Sequence, residues 1–275
     1  MSAVAQEGFE LRREASSLWP LVRHLLRSWS LIRILARKDF YVRYRRASFG
    51  ILWAVGLPLV QAGVLAVVLS RLTIVRSPIP LAAYVYSGIL PFNTFINGVT
   101  GGTTSIVDNT AVATRIYFPR AVFPFVAVAS NFYSFVPGLA VLLVLHAALG
   151  GSFGPALFLL VPATLLLLLL TCAFALVLSA LQVYFRDVKH ILAAVTLPWF
   201  WASGIFFDPA RLKTIGPFLK WNPVVGVIQL FRAALYAGGS EWVTAVWITI
   251  GWTVVLVVAA LLLHRRYDRV FVDLL

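Results

Sequence analysis

Charge is missing from long stretches of this chain, and that absence constrains the fold more than any motif does. No Asp, Glu, Lys or Arg occurs in Ala47–Ser70, Ser77–Val107, Ala121–Phe185, His190–Phe207 or Trp242–His264. A helix needs about 20 residues to cross the roughly 30 Å hydrocarbon layer of a bilayer. Four of these windows suit one crossing each. The window Ala121–Phe185 is too long for one helix and contains the breaker Gly150-Gly151-Ser152-Phe153-Gly154-Pro155, which divides it. The pattern predicts an all-α integral membrane protein with six spans, at about 50–70, 81–104, 122–147, 156–181, 190–206 and 243–263.

Composition agrees. Hydrophobic residues make up 61% of the 275, mean hydropathy is +0.91, and charged residues reach only 12%, about half of the roughly 25% usual in globular chains. The net charge of +13 would suit nucleic acid if it were clustered, but it lies between the apolar windows. With a cytoplasmic N-terminus, the segments Arg12–Arg46, Arg115–Arg120, Arg186–Lys189 and Arg265–Arg269 place 17 Lys and Arg inside. Six remain outside: Arg71, Arg76, Arg211, Lys213, Lys220 and Arg232. The positive-inside rule then puts both termini in the cytoplasm. The positive charge follows from topology and anionic membrane lipid, and no nucleic-acid partner is expected.

The first 46 residues read as a cytoplasmic tail, and 47–275 as the membrane domain. The tail has no cleavable signal pattern. Leu18, Val22, Leu25, Trp29 and Ile32 share one helical face, with Arg23, Arg27, Ser30 and Arg37 opposite. Such a basic amphipathic helix lies in the membrane interface. Two roles fit it: a topology anchor, or an anchor that also carries a cytoplasmic partner.

The missing chemistry is informative. No G-x-x-x-x-G-K-[ST] run is present, so the chain lacks a P-loop for nucleotide phosphates. His24, His146, His190 and His264 are scattered, and Cys172 is the lone cysteine, so no metal site is expected. None of the ten acidic residues falls in a span. An ion-driven transporter usually keeps an ionisable group there, and this chain offers only His146 near a span end. We expect no catalytic residues and no cofactor in this chain, with energy supplied by another subunit.

Two connections exceed the needs of a linker. Between spans two and three, residues 108–120 begin with the capping candidates Asp108 and Asn109 and stop at Pro119. The short helix so defined exposes Val112, Arg115, Ile116, Tyr117 and Phe118, either to a protein partner or to the membrane interface. Residues 206–241, interrupted by Pro209, Gly216-Pro217, Asn222-Pro223 and Gly226, read as short re-entrant helices on the external side. They are either a gate or a surface cap. Asn93 and Asn97 share a face of span two, and Gly98 and Gly102 form a small-xxx-small pair; helix packing and pore lining are both open. Tyr84, Phe132, Tyr133, Trp199, Trp201, Phe206 and Phe207 crowd toward span ends, as an interface belt or as stacking faces for sugars.

Several motifs, taken in order, carry a resemblance. They are Arg43-Tyr44-Arg45-Arg46-Ala47-Ser48-Phe49-Gly50-Ile51-Leu52-Trp53 ahead of Pro58, Tyr117-Phe118-Pro119-Arg120, Tyr184-Phe185-Arg186-Asp187-Val188, Trp221-Asn222-Pro223 and Gln229-Leu230-Phe231-Arg232. Together the chain resembles the membrane subunit of type-2 ABC exporters, in the polysaccharide, O-antigen and teichoic acid branch of Wzm-like permeases. It departs from that pattern at Leu57, where Asn is frequent, and at Gln229, where Glu is. The resemblance implies a homodimeric channel in the cytoplasmic membrane, with two separate nucleotide-binding subunits holding ATP and Mg. It implies a coupling helix around Asn109–Phe118, an interface helix with Arg23, Arg27, Trp29 and Arg37, and gate helices within residues 206–235. The implied cargo is a lipid-linked polysaccharide whose pyrophosphate meets Arg43, Arg45 and Arg46; the positive-inside rule alone also accounts for these arginines. Rival readings are a type-2 exporter of a drug or small lipid, an integral membrane enzyme acting on lipid-linked sugars, and a passive channel or scaffold.

Overall fold

The computed structural model describes residues 28–72, 79–110, 120–206, 216–236 and 241–267, and within these the regular structure is helical, with no strand. The chain starts with α1 (Trp29–Tyr44), which buries Ile32 and Ala36 and leaves Arg33, Arg37 and Lys38 exposed. It takes up the last part of the amphipathic stretch read above; residues before Ser28 lie outside the described set. Next come α2 (Leu52–Leu72), α3 (Leu81–Asp108) and α4 (Val122–Ala148). The predicted breaker then ends α4: Gly150 adopts φ +85°, and a Cβ on Gly151 would overlap the His146 imidazole folded over it. A 3-10 turn (Pro155–Leu159) leads into α5 (Leu160–Tyr184). The chain continues with α6 (Val188–Ala202), the single turn α7 (Gly216–Leu219), α8 (Pro223–Leu235) and α9 (Glu241–Tyr267).

Each predicted span coincides with a helix, but the helices differ in kind. Four stretches are long and apolar enough to cross a membrane: Leu52–Arg71, Val122–Ala148, Pro155–Tyr184 and Trp242–His264. The second predicted span, α3, has ample length at 28 residues but carries Asn, Thr and Gly through its later half. The fifth, α6, has only 15 residues, about 22 Å at 1.5 Å per residue, short of the ~30 Å layer. The predicted span took in the apolar Ser203–Phe206, whereas the helix stops at Ala202 and the chain turns through Gly204 at φ +68°.

α3 is the axis of the bundle. It packs on α4 and α5, with α2 and α8 against further sides of it. Gly98 and Gly102 make the α5 contact possible: a Cβ at either position would stand 2.5 Å from Thr171 Cγ2 or Ala175 Cβ. The pair read from the sequence is therefore a packing device. The core around it holds Tyr86, Phe92, Phe95, Phe135, Leu167, Leu170 and Phe231. α8 is buried on nearly every side and sits against α3, α5, the 3-10 turn and α9.

One contact offers a direct check. A Cβ on Gly226 of α8 would overlap Thr249 Oγ1 and the Ala245 carbonyl of α9, whereas a Cβ on Gly56 of α2 meets nothing within 4 Å. Gly226→Ala should destabilise the protein by about 1–3 kcal/mol through overpacking, while Gly56→Ala leaves stability equal or higher. Thermal melting of the two purified variants in detergent compares them.

Candidate functional site

Between Ala83 and Ile106, the only residues of α3 that are not buried are Asn93, Asn97, Thr100, Gly101 and Thr104. Their spacing of three, four and one places them on one face. The neighbouring helices expose a different chemistry: Leu57, Val60, Val64 and Val67 on α2, Val161, Leu165 and Leu169 on α5, and Val254, Val255, Val258 and Leu262 on α9. Those faces suit lipid. A row of amides and hydroxyls does not, because an unpaired amide in hydrocarbon costs several kcal/mol. The open face of α3 is thus a polar lane on an otherwise apolar body.

The lane is built into its surroundings. Asn93 Nδ2 donates to Gln61 Oε1 of α2 at 3.0 Å, and Asn131 Nδ2 of α4 donates to the Thr94 carbonyl at 2.6 Å. A small open cavity beside them is lined by Pro58, Asn93, Asn97, Asn131 and Ser134. Tyr44 at the end of α1 lies 3.3 Å from the Ser134 hydroxyl, and Arg43 Nη2 reaches Ser130 Oγ at 3.5 Å. Gln61, Asn131 and the two serines escaped the sequence reading, although Gln61 and Asn131 stand out as amides inside charge-free windows.

At the opposite end of α3 the face is closed. Every residue from Ala83 to Phe92 is buried, and Tyr86 donates to the Gly138 carbonyl of α4 at 3.2 Å. Here α6 ends, and its terminal groups need partners. Asn222, just before α8, accepts from Trp199 Nε1 at 2.9 Å and from the Val224 amide at 3.1 Å, and donates to the Ala202 carbonyl at 3.1 Å. Trp252 of α9 donates to the Trp221 carbonyl at 2.9 Å. The Trp221-Asn222-Pro223 motif therefore joins three helices.

Arg232 is the surprise of this end. The charge tally counts it with the external loops, yet it is 1% exposed. Its Nη1 donates to the Gly204 carbonyl at 2.8 Å and its Nη2 to the Ile205 carbonyl at 2.5 Å. The guanidinium carbon lies 3.7 Å from the centroid of the Tyr84 ring. Among the described residues it has no carboxylate partner, and its Nε has no acceptor.

The aromatic candidates divide. Trp199 packs edge-on to Phe95 and Phe174, while Phe200 links Phe92, Trp201 and Phe206. Phe206 and Tyr84 are buried, Trp201 is half exposed at 51%, and Phe132 and Tyr133 are partly covered. Phe132 stacks on Phe135, and Tyr133 meets Phe40 of α1 at a tilt. Most of these rings serve one another. At the end where α1 lies, Arg43 pairs with Asp39 at 3.0 Å, and Arg45 and Arg46 are exposed beside it. Trp29 and Arg37 are exposed on α1. Asn109 terminates α3 with its side chain bonded to the Ser105 carbonyl at 2.8 Å. Gln182 braces the α5–α6 turn by donating to the Arg186 carbonyl and accepting from the Lys189 amide. Arg23, Arg27, Val112, Arg115, Ile116, Tyr117, Phe118 and Phe207 lie outside the described residues. Among the described residues no cluster of metal-ligating side chains forms.

The polar lane lies on an open face of an apolar helical bundle, and the comparison with known families gives the class. Residues 30–236, from α1 to the end of α8, match the ABC-2 type transporter family. The chain belongs to this family. It is similar to the O-antigen export system permease protein RfbA of Myxococcus xanthus, with 30% identity over 222 residues, 78% of this chain and 84% of that protein. Two permeases of the same description from Klebsiella pneumoniae are each 22% identical, over 227 and 254 residues, covering 80% and 90% of this chain and 86% and 95% of those proteins. As an ABC-2 family member with several apolar helices, the chain is a multi-pass membrane permease, in agreement with the resemblance carried by its motifs.

The Asn222 bridge yields a test. Asn222→Ala removes two acceptor bonds and strands the Trp199 indole, and should cost about 2–3 kcal/mol of stability. Trp199→Phe keeps the Asn222 bonds to Val224 and Ala202 but loses one hydrogen bond and part of the ring packing on Phe95 and Phe174, and should cost about 1–2 kcal/mol. Chemical unfolding of the detergent-solubilised variants ranks them.

Proposed function

We propose that this chain is the membrane-spanning subunit of an ATP-driven exporter that carries a lipid-linked polysaccharide, of O-antigen, capsule or teichoic acid type, across the cytoplasmic membrane. The observation that carries the reading is the polar lane of α3. A glycan is a string of hydroxyls, and a path for it needs amides and hydroxyls that exchange hydrogen bonds along its length. Asn93, Asn97, Thr100 and Thr104 offer these. Two copies facing each other would screen the lane from lipid, which supports a homodimer. The relatives' names support the cargo class.

In this reading the six helical segments α2, α3, α4, the 3-10 turn with α5, α6 and α9 are the spans, with both termini cytoplasmic. α6 crosses with help: Ser203–Phe206 and α8 complete its path, which a bilayer tolerates because that backbone is buried in protein. Separate nucleotide-binding subunits with ATP and Mg dock at the end carrying Asn109, Arg120 and the Gln182 brace, using the 108–120 segment as coupling helix. Arg43, Arg45 and Arg46 lie at the same membrane face. Guanidinium groups suit a pyrophosphate through paired hydrogen bonds, and Arg43 would have to exchange its Asp39 partner to serve.

Deleting the gene should abolish surface glycan and raise the lipid-linked form inside the cell; normal levels of both pools would remove the polysaccharide assignment and favour export of a small molecule. Asn97→Leu should lower export severalfold while membrane insertion stays intact, because one apolar side chain interrupts the row of hydrogen-bonding groups. Glycan export measured against the amount of folded protein in the membrane separates these effects.

A further inference from the structure

Arg232 is a cation buried in an apolar bundle without a counter-charge among the described residues, and a purely structural need would be met at lower cost. A buried charge is expensive to desolvate, and apolar or neutral groups of similar size usually hold helices together as well or better. An ionisable group at membrane depth is by default a candidate for function. Its three partners come from two elements other than its own α8: the Gly204 and Ile205 carbonyls beyond α6, and the Tyr84 ring of α3. Gly88 completes the fit, because a Cβ there would come within 3.3 Å of Nη2 and of the Ile205 Cα.

We propose that Arg232 is the latch of the outer end: it holds the Ser203–Phe206 turn and α8 on α3 in the closed protein, and export proceeds through release of the two carbonyls as one event. The term "outer" and the link to export rest on the function proposed above. The contacts suit release. They are hydrogen bonds to neutral carbonyls and a ring face, with no ion pair to break among the described residues. The C-terminal end of α6 carries partial negative charge that favours the cation nearby, so attraction persists over a short displacement. All three contacts converge on one guanidinium, so they are lost together. Arg232 acts here as a positioning residue, distinct from any group that touches cargo.

The test reads the latch directly, using the full chain with Cys172→Ala and one added thiol. Ser203 is fully buried and Ser→Cys is nearly isosteric, so Ser203→Cys reports the turn; Ser179→Cys, equally buried on α5, reports the bundle. A membrane-impermeant maleimide is applied to protein in vesicles. With Arg232 present, both thiols should label slowly. With Arg232→Met, the thiol at 203 should label about tenfold faster or more, since losing one charge-assisted hydrogen bond already shifts a local opening equilibrium by that factor. The thiol at 179 should stay protected. Gly88→Ala, which keeps the charge but crowds Ile205 and Arg232 Nη2 apart from α3, should act in the same direction, and it carries the test alone if Arg232→Met does not insert. Unchanged protection at 203, or equal exposure at 203 and 179, overturns the latch. No ATPase or glycan is needed for this result, so it stands or falls separately from the export reading. Faster labelling of the 203 thiol during ATP turnover by the assembled exporter, with Arg232 intact, is the expected link; no change under turnover would leave Arg232 a fixed clamp and overturn its role in export.

Discussion

The short helix α6 imposes the constraint on which the rest of its end of the molecule depends. A helix that stops after 15 residues leaves its last carbonyls inside the apolar bundle, where water is not available to satisfy them. The structure supplies donors one by one. Ser203 serves the Trp199 carbonyl, Asn222 serves Ala202, and Arg232 serves Gly204 and Ile205. Each donor other than Ser203 comes from α8 or the residue before it, so α8 has to lie alongside the turn. That position in turn demands Gly226 against α9 and Gly88 against Ile205.

α3 answers a second constraint, that one helix must face both protein and a polar path. Its Gly98 and Gly102 face lets α5 approach closely, its Tyr84 and Gly88 face receives Arg232, and its Asn93 to Thr104 face remains open. Tyr84 and Gly88 precede Gly98 and Gly102 by nearly four full turns, so those two contacts share one side of the rod and the open row lies on the other. α8 packs on α3 directly, whereas α1 packs on α4, which in turn packs on α3.

The sequence shows six apolar segments clearly because each carries no charge over a length that only a membrane or a core accommodates. The breaker at Gly150–Pro155 and the pairing of Gly98 with Gly102 were legible for the same local reason. The end of α6 was not. Ser203-Gly204-Ile205-Phe206 is as apolar as the helix before it, and hydropathy does not record where the backbone turns. Trp221-Asn222-Pro223 and Gln229-Leu230-Phe231-Arg232 were recognisable as motifs, but their work depends on partners 23 to 31 residues away in the chain.

By itself the sequence determined the class: a helical multi-pass membrane chain whose charges fall between its apolar windows and which carries no P-loop pattern. That follows from composition along the chain, which fixes the solvent each segment prefers. Only the tertiary structure decided which polar groups stay open and which are consumed. Asn93 and Asn97 share a face on any helix, yet that face is a lane because no neighbour covers it, while Arg232 reads as a loop charge and is buried because α6 ends beside it. The deciding quantity is the position of hydrogen-bond partners in space, which a one-dimensional pattern of hydropathy does not contain.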